Sequence, residues 1–173
     1  MTAGAKPGTT RLNSFSEDHM GLRERILADT KEAMKAKEAA RLSTLRLISA
    51  AIKDREIAAR TEGGEEAGLS DADLTAILSK MVKQRQESAK AYEEGGRLEL
   101  AEREQDEIKV IQSYLPRQLD AEETRAAIDK AIADLGAESI RDMGRVMAEL
   151  RTRHAGQMDF GAVGPVVKDR LMK

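Results

Sequence analysis

The chain has 173 residues, no cysteine, a formal net charge of −2, 35% charged residues and 2% aromatic residues. The missing cysteines exclude disulfides, thiolate nucleophiles and cysteine zinc sites. The near-neutral charge excludes binding to nucleic acid or membranes through overall charge, so any such binding needs a local patch of positive charge. Alanine, leucine, glutamate, lysine and arginine dominate, which favours helices over strands, and we expect an all-α protein that is soluble and cytoplasmic.

The first segment, residues 1–19, is polar and is interrupted by Pro7 and two glycines. It lacks the apolar stretch of a secretory signal peptide. We expect a disordered extension and assign it no function.

Four helical patterns follow. The first begins at Leu22, and the second runs through "ARLSTLRLISAAIKDREIAAR" to a loop rich in glycine and glutamate. Ser70 and Asp73 resemble a capping box that starts the third helix. Gly95 and Gly96 end it, and this short connection predicts an antiparallel hairpin with the fourth helix.

A proline after a complete helical pattern, Pro116, predicts the boundary between two units. We expect an N-terminal helical domain at residues 20–116 and a small C-terminal three-helix domain at 117–173. The helices of the second domain are expected at 121–135, at about 139–154 and from Asp159 onward, where Pro165 predicts a kink or a late start. The expected core of this domain is Ile128, Ile132, Leu135, Ile140, Met147, Leu150, Val163, Val167 and Leu171.

Polar residues interrupt the apolar stripe of the third helix. The stripe that begins at Leu74 arrives at Arg85 and Ser88. Folding the fourth helix back places Glu104 and Glu107 near Arg85, where a partly buried ion pair would offset the cost of burying the charge. The cluster is either a structural network that fixes the register of the helix pair or a site for a partner or ligand.

Residues for metal binding or catalysis do not form a recognisable set. Glu104 and Glu107 share a helix face, but carboxylate-bridged metal sites in bundles add a Glu-x-x-His motif, and His19 and His154 are isolated. The chain also lacks a GxSxG elbow, a phosphate-binding loop and a GxGxxG turn. We therefore expect no metal, no cofactor and no catalytic residue.

The C-terminal segment concentrates positive charge. Residues 139–173 contain seven lysines and arginines and four acidic residues. Gly156 and Gly161 flank the start of the last helix, where free backbone N–H groups favour an anion such as phosphate. Two alternatives remain: the arginines form an ordinary solvated face, or Gly161 and Gly164 only permit close helix packing. With so few aromatic residues, RNA would be recognised by backbone and shape.

Several stretches together resemble a known family. They are "ARLSTLRLISAAIKDREI", "KMVKQRQESAKAYEEGGRLELAEREQDEIKVIQSYLPRQL", "IRDMGRVMAELR" and "GAVGPVVKDRL". In this order they resemble the GatB/YqeY family in its free-standing YqeY form, over about residues 22–171. The resemblance implies a helical unit followed by a three-helix domain similar to the tail of the B subunit of aspartyl/glutamyl-tRNA amidotransferase, a tail that helps to hold tRNA.

The resemblance also suggests functional residues. Gly144, Arg145, Gly156, Gly161 and Lys168 match the family's tail pattern and are the positions expected to contact tRNA. Arg151 and Arg153 would add positive charge to the same surface.

Three interpretations stay open. The first is a non-catalytic module that binds tRNA or associates with the amidotransferase. The second is a helical adaptor without RNA binding that uses the cluster around Arg85 to contact a protein. The third is a carbon–nitrogen ligase with glutamine as amide donor, as family membership suggests. None of them implies a membrane, and the sequence does not predict the oligomeric state.

Overall fold

The computed structural model describes residues 21–63 and 68–173, so the predicted extension at 1–19 lies outside the described residues. The described part contains seven α-helices, one short 3-10 turn and no strand, which confirms the prediction of an all-α protein. The helices are α1 (Leu22–Lys35), α2 (Ala39–Thr61), α3 (Asp71–Glu94), α4 (Leu98–Gln112), α5 (Ala121–Leu135), α6 (Met143–Arg153) and α7 (Phe160–Leu171), and the 3-10 turn is Ile140–Asp142.

Local capping signals explain where α3 and α5 begin. The Ser70 hydroxyl accepts a hydrogen bond from the backbone N–H of Asp73, and the Asp73 carboxylate accepts one from the N–H of Ser70. Asp120 and Glu123 make the same reciprocal pair before α5. Each box satisfies two backbone donors that a helix start leaves unpaired, and both predicted starts are confirmed.

The first hydrophobic core lies among α1, α2, α3 and α4, and α3 packs along α4 on either side of the Gly95–Gly96 turn. Tyr114, just after α4, is buried against this core and donates a hydrogen bond of 2.5 Å from its hydroxyl to Asp29 of α1. The largest side chains that are almost fully buried in this core are Ile26, Leu45, Ile48, Leu74, Leu78 and Ile111.

A second hydrophobic core lies among α5, α6 and α7. Its buried residues are Ile128, Ala131, Val146, Met147, Leu150, Met158, Val163, Val167 and Leu171. The prediction was wrong for Ile140, whose side chain is 43% exposed. Residues 140–142 form a 3-10 turn before α6, and its tighter winding changes which side chains face the core.

Polar contacts join the chain after α4 to the loop between α6 and α7. The backbone N–H of Leu119 donates to the carbonyl of Gln157 at 2.8 Å. The Gln118 amide donates to the carbonyl of Gly156 at 2.5 Å, and the Gln157 amide donates to the carbonyl of Arg117 at 3.2 Å. These bonds fix the loop between α6 and α7 to the segment that connects α4 with α5.

The loop residue Gly156 requires glycine for two reasons. Its φ of +74° is a conformation that L side chains rarely adopt. A Cβ placed there would lie 2.5 Å from Cγ2 of Thr75 on α3 and 3.2 Å from Cδ of Pro116. Gly156 therefore lets the loop lie directly against α3.

The last helix begins at Phe160, directly after its cap Asp159. The start predicted at Asp159 is confirmed and the alternative of a late start is wrong. Pro165 lies inside α7, where it offers no N–H to the carbonyl of Gly161.

Candidate functional site

A cavity of about 550 Å³ is lined by α3 and by the loop between α6 and α7, which touch each other at Thr75 and Gly156. We call it the interhelix groove. Its remaining walls come from the end of α4 and the segment that follows, through Gln112, Leu115 and Gln118. The volume falls within the range of about 300–1,000 Å³ that is typical of ligand sites.

One stripe of α3 forms a long wall of the groove. Ala72, Ala76, Ser79, Lys83 and Gln86 all line it, at successive spacings of four and three residues. This alternation is the 3.5-residue repeat by which one helix packs along another. The first half of the stripe has small side chains and the second half has long polar ones.

The opposite wall comes from the end of α6 and the start of α7. Met158 is buried in the second core, and Phe160 is half-buried beside it. The guanidinium carbon of Arg151 lies 5.8 Å from the centroid of the Phe160 ring, within cation–π distance. Apolar atoms thus face the small side chains of α3 across the groove.

The charges at the groove are mostly positive. Its lining residues include three cations, Lys80, Lys83 and Arg151, and one carboxylate, Asp159. The Lys83 ammonium lies 3.4 Å from Oδ2 of Asp159, and Oδ1 of Asp159 accepts a hydrogen bond of 3.0 Å from the N–H of Gly161. The first turn of α7 therefore binds the chain's own carboxylate where the sequence predicted an external anion.

The Ser79 hydroxyl is a second polar feature of the groove. It is buried and has no hydrogen-bond partner among the described residues. A buried hydroxyl without a partner costs about 1–3 kcal/mol. Such groups are rare in folded proteins and call for an explanation.

The arginines predicted to bind RNA differ in what their guanidinium groups contact. Arg145 donates to Asp142 at 2.8 Å, and Arg153 bonds Asp134 at 2.8 Å and Glu149 at 2.7 Å. The Arg145 guanidinium and two backbone N–H groups lower the pKa of Asp142 to about 2. Arg145 and Arg153 thus already face the chain's own carboxylates, whereas Arg151 faces an aromatic ring.

The predicted RNA-binding residues divide between two places. Arg151, Gly156 and Gly161 line the interhelix groove. Four others do not line it: Gly144, Arg145, Arg153 and Lys168. Gly144 and Lys168 are both exposed. A Cβ at Gly144 would meet no atom within 4 Å. Their function in RNA binding stays a prediction.

The sequence left open that two glycines of α7, Gly161 and Gly164, only permit close helix packing, and the space around them differs. A Cβ at Gly161 would lie 3.2 Å from Oδ1 of Asp159, which is a tight contact. A Cβ at Gly164 would lie 3.9 Å from the nearest atom, Cε of Met143, which is an ordinary contact. Close approach thus favours glycine at Gly161 and not at Gly164.

The cluster around Arg85 lies between α3 and α4. Nε of Arg85 donates to Glu107 at 2.7 Å, and Nη1 donates to the carbonyl of Met81 at 3.2 Å. Burial and the neighbouring Glu107 raise the pKa of Glu104, and Arg85 opposes them. Ser88 was wrongly expected on this face: it is exposed, and Ala89 is buried in its place. A partner role for the cluster stays a prediction.

The described residues offer neither a metal cluster nor a membrane span. In residues 21–63 and 68–173, no group of three or more histidine, cysteine, aspartate or glutamate side chains could hold a metal ion. No helix in the same ranges is long and apolar enough to span a membrane.

The chain resembles known proteins over most of its length. The family described as Yqey-like protein matches residues 23–171. Proteins named "Altered inheritance of mitochondria protein 41, mitochondrial" are 32% identical over 123 residues in Lachancea thermotolerans and 31% identical over 142 residues in Eremothecium gossypii. These matches cover 71% and 78% of this chain, and 62% and 75% of the two relatives.

The relatives' names contradict one prediction. The sequence predicted a cytoplasmic protein, but the similar proteins are named as mitochondrial, including a third that is 30% identical, from Vanderwaltozyma polyspora. The missing cysteines suggested a reducing environment, and that criterion does not identify a compartment. The family match extends over every helix of the structure except the first residue of α1. The chain belongs to the YqeY-like family.

Proposed function

We propose that the chain is a non-catalytic module that binds tRNA in tRNA-dependent amidation. The observation that carries the proposal is the family match over residues 23–171, which includes both hydrophobic cores. The sequence of the second core resembles the tail of the amidotransferase B subunit, and that tail helps to hold tRNA.

Free cationic side chains support the proposal. Lys168 is exposed on α7, and Arg151 is exposed near the start of the same helix. Neither forms an ion pair within 4.0 Å among the described residues. Contacts of this kind to phosphates supply affinity and position the protein without reading sequence.

We also propose the organisation that the sequence predicted, an N-terminal unit with a helix hairpin followed by a C-terminal three-helix domain. The two separate cores support it. Amide hydrogen exchange of the full chain should then show two protection levels, one for α1 to α4 and one for α5 to α7. A single level of amide protection in all seven helices would contradict the division into two units.

A binding measurement tests the proposal. We expect Arg151→Ala and Lys168→Ala each to weaken binding to tRNA and to reduce the steepness of its salt dependence by about one phosphate contact. Arg145→Ala should have a smaller effect, because Arg145 is already paired with Asp142. Lys31→Ala is the matched control, since this exposed lysine lies on α1 at the first core and forms no ion pair within 4.0 Å among the described residues.

Fluorescence anisotropy of labelled tRNA at about 50 mM and about 200 mM salt gives both quantities. Unchanged affinity and salt dependence in Arg151→Ala and Lys168→Ala would contradict the assignment of these two residues to the tRNA-binding surface. No salt-sensitive binding by the unaltered chain would contradict the proposed function itself.

A further inference from the structure

We propose that the outer face of α2 is a docking site for an acidic amphipathic helix of a partner protein. The outer face consists of an exposed stripe, Leu47, Ala50, Asp54 and Ile57, and a row of cations along one edge of it, Arg46, Lys53 and Arg60. None of these residues is assigned to tRNA binding. The inference therefore goes beyond the tRNA proposal and does not depend on it.

Helix α2 has apolar side chains on two faces. One face carries Leu45, Ile48 and Ile52, which are buried in the first core. Away from that core, the side chain of Leu47 is 42% exposed and that of Ile57 is 51% exposed. A surface helix normally presents polar residues opposite its core face. Covering the second apolar stripe with a partner would remove it from water.

The spacing of the stripe is that of a helix-packing seam. Its four residues follow one another at intervals of three, four and three residues. This alternation is the repeat by which one helix packs along another. From Leu47 to Ile57 the stripe is about 15 Å long at 1.5 Å per residue. A partner helix of about three turns would therefore lie along it, with anchors at positions i, i+3, i+4 and i+7.

Charge complementarity selects an acidic helix. Arg46, Lys53 and Arg60 are seven residues apart, so they lie in one row beside the stripe, and all three are exposed. None of them forms an ion pair within 4.0 Å among the described residues; the ion pairs of α2 involve other side chains. Residues that flank a packing seam form the interhelical ion pairs that set partner choice. Carboxylates on the partner would be attracted, and a basic helix would be repelled.

The carboxylate inside the stripe adds a second requirement. Asp54 is exposed and forms no ion pair among residues 21–63 and 68–173. A partner that covered it without a matching cation would leave a buried, unpaired charge, which is strongly unfavourable. A single polar residue in an apolar seam also specifies the register of two helices. The partner helix should therefore carry one lysine opposite Asp54, between its apolar anchors.

The same features disfavour two other occupants. A second copy of this chain would bring an identical row of cations, and its stripe offers only one carboxylate to meet them. RNA phosphates would meet the cations, but they would leave Leu47 and Ile57 in water. An acidic helix with apolar anchors satisfies both the row and the stripe.

A peptide titration tests the proposal. The probe is a helical peptide of about 21 residues, since shorter isolated helices are marginal. It has leucine at the heptad a and d positions except for one central lysine, glutamate at e and g, and alanine elsewhere. Added to the ¹⁵N-labelled full chain, it should cause saturable amide shifts at Arg46, Ala50 and Ile57. The same peptide with lysine in place of glutamate should bind at least about tenfold more weakly.

Three variants assign the binding to the outer face of α2. Ile57→Glu removes an anchor and repels the glutamates, so it should weaken binding at least about tenfold. Leu98→Glu is the matched control, because Leu98 is 68% exposed at the start of α4, and it should leave the dissociation constant unchanged. Lys53→Glu should reverse the preference between the two peptides. Asp54→Lys should favour a peptide whose central lysine is replaced by glutamate. Circular dichroism and Tm of each variant establish that it is folded.

Several results would overturn the proposal. They are equal binding of the glutamate and lysine peptides, shifts that lie outside α2, no saturable binding, or equal effects of Ile57→Glu and Leu98→Glu. Loss of tRNA binding in Lys53→Glu without peptide binding by the unaltered chain would assign the row of cations to RNA. Self-association that Ile57→Glu abolishes would assign the face to a second copy of this chain. Each of these results leaves the tRNA proposal to be judged by Arg151→Ala and Lys168→Ala.

Discussion

Replacement of Gly156 by alanine should destabilise the fold more than the same replacement at Gly144, Gly161 or Gly164. Gly156 has a φ of +74°, and its Cα lies in the loop that packs against α3. An alanine in this left-handed conformation costs about 1–2 kcal/mol. Its methyl group would lie 2.5 Å from Cγ2 of Thr75, and forced overpacking adds about 1–3 kcal/mol. The expected loss in the free energy of unfolding is therefore about 2–5 kcal/mol.

Urea denaturation followed by circular dichroism measures this loss. The variant Gly156→Ala/Thr75→Ser removes Cγ2 of Thr75 and should recover part of it, while the cost of the positive φ remains. Gly144→Ala is the matched control, because a Cβ there meets no atom within 4 Å and the residue is helical. That control should be neutral or stabilising by about 0.4–1 kcal/mol. A loss below about 0.5 kcal/mol in Gly156→Ala, similar to an ordinary surface change, would refute the reasoning.

Two further predictions concern ionised groups. Removal of the guanidinium in Arg85→Ala, where the side chain is 15% exposed, should lower the free energy of unfolding by about 1.5–3 kcal/mol at pH 7. The same substitution should raise the pKa of Glu104 further, because Arg85 lowers it. The loss in the free energy of unfolding, measured by urea denaturation, should therefore be smaller at pH 4 than at pH 7, and an equal loss at both pH values would contradict this prediction. The second prediction follows from the pKa of Asp142, which is lowered to about 2 from an ordinary value of 3.8. Its stabilising effect is present above pH 3.8 and is lost as the pH falls towards 2, so the Tm of the unaltered chain should fall more steeply across that window than the Tm of Asp142→Asn. Parallel Tm curves for the two proteins would show that Asp142 does not contribute.

The helices and their starts could be predicted because their signals are local. The capping boxes at Ser70 and Asp120 each lie within four residues of sequence. The predicted end of α5 at residue 135 is also confirmed, and Gly136 follows it with a φ of +60°. The prediction failed for some of the side chains that face a core. The 3-10 turn at residues 140–142 displaced Ile140 from the core. Along α3, whose start was predicted correctly, the buried face includes Val82 and Ala89 and leaves Ser88 exposed, because 3.6 residues per turn moves the buried positions gradually around a long helix.

The interhelix groove could be predicted only in part. Sequence reasoning selected Arg151, Gly156 and Gly161 from one wall, and it missed Ser79 and Lys83 on the other. The spacing of the small residues on α3 was a usable signal, but it does not distinguish a groove wall from a buried seam. The contact between α3 and the loop is tertiary, and no local pattern encodes it.

Charge counting had a similar limit. The excess of basic residues at 139–173 suggested a surface free to bind phosphate. The structure pairs Arg153 with Asp134, which lies outside the counted segment, and with Glu149 inside it. A segment's net charge therefore does not show which cations are already engaged.

The affinity of the full chain for tRNA at two salt concentrations tests the central claim most directly. The account predicts binding that weakens as salt rises from about 50 mM to about 200 mM, and that weakens further in Arg151→Ala and Lys168→Ala. Double-stranded DNA of equal length serves as the control for charge alone and should bind more weakly. Absence of binding to tRNA, or equal binding to the DNA, would contradict the account.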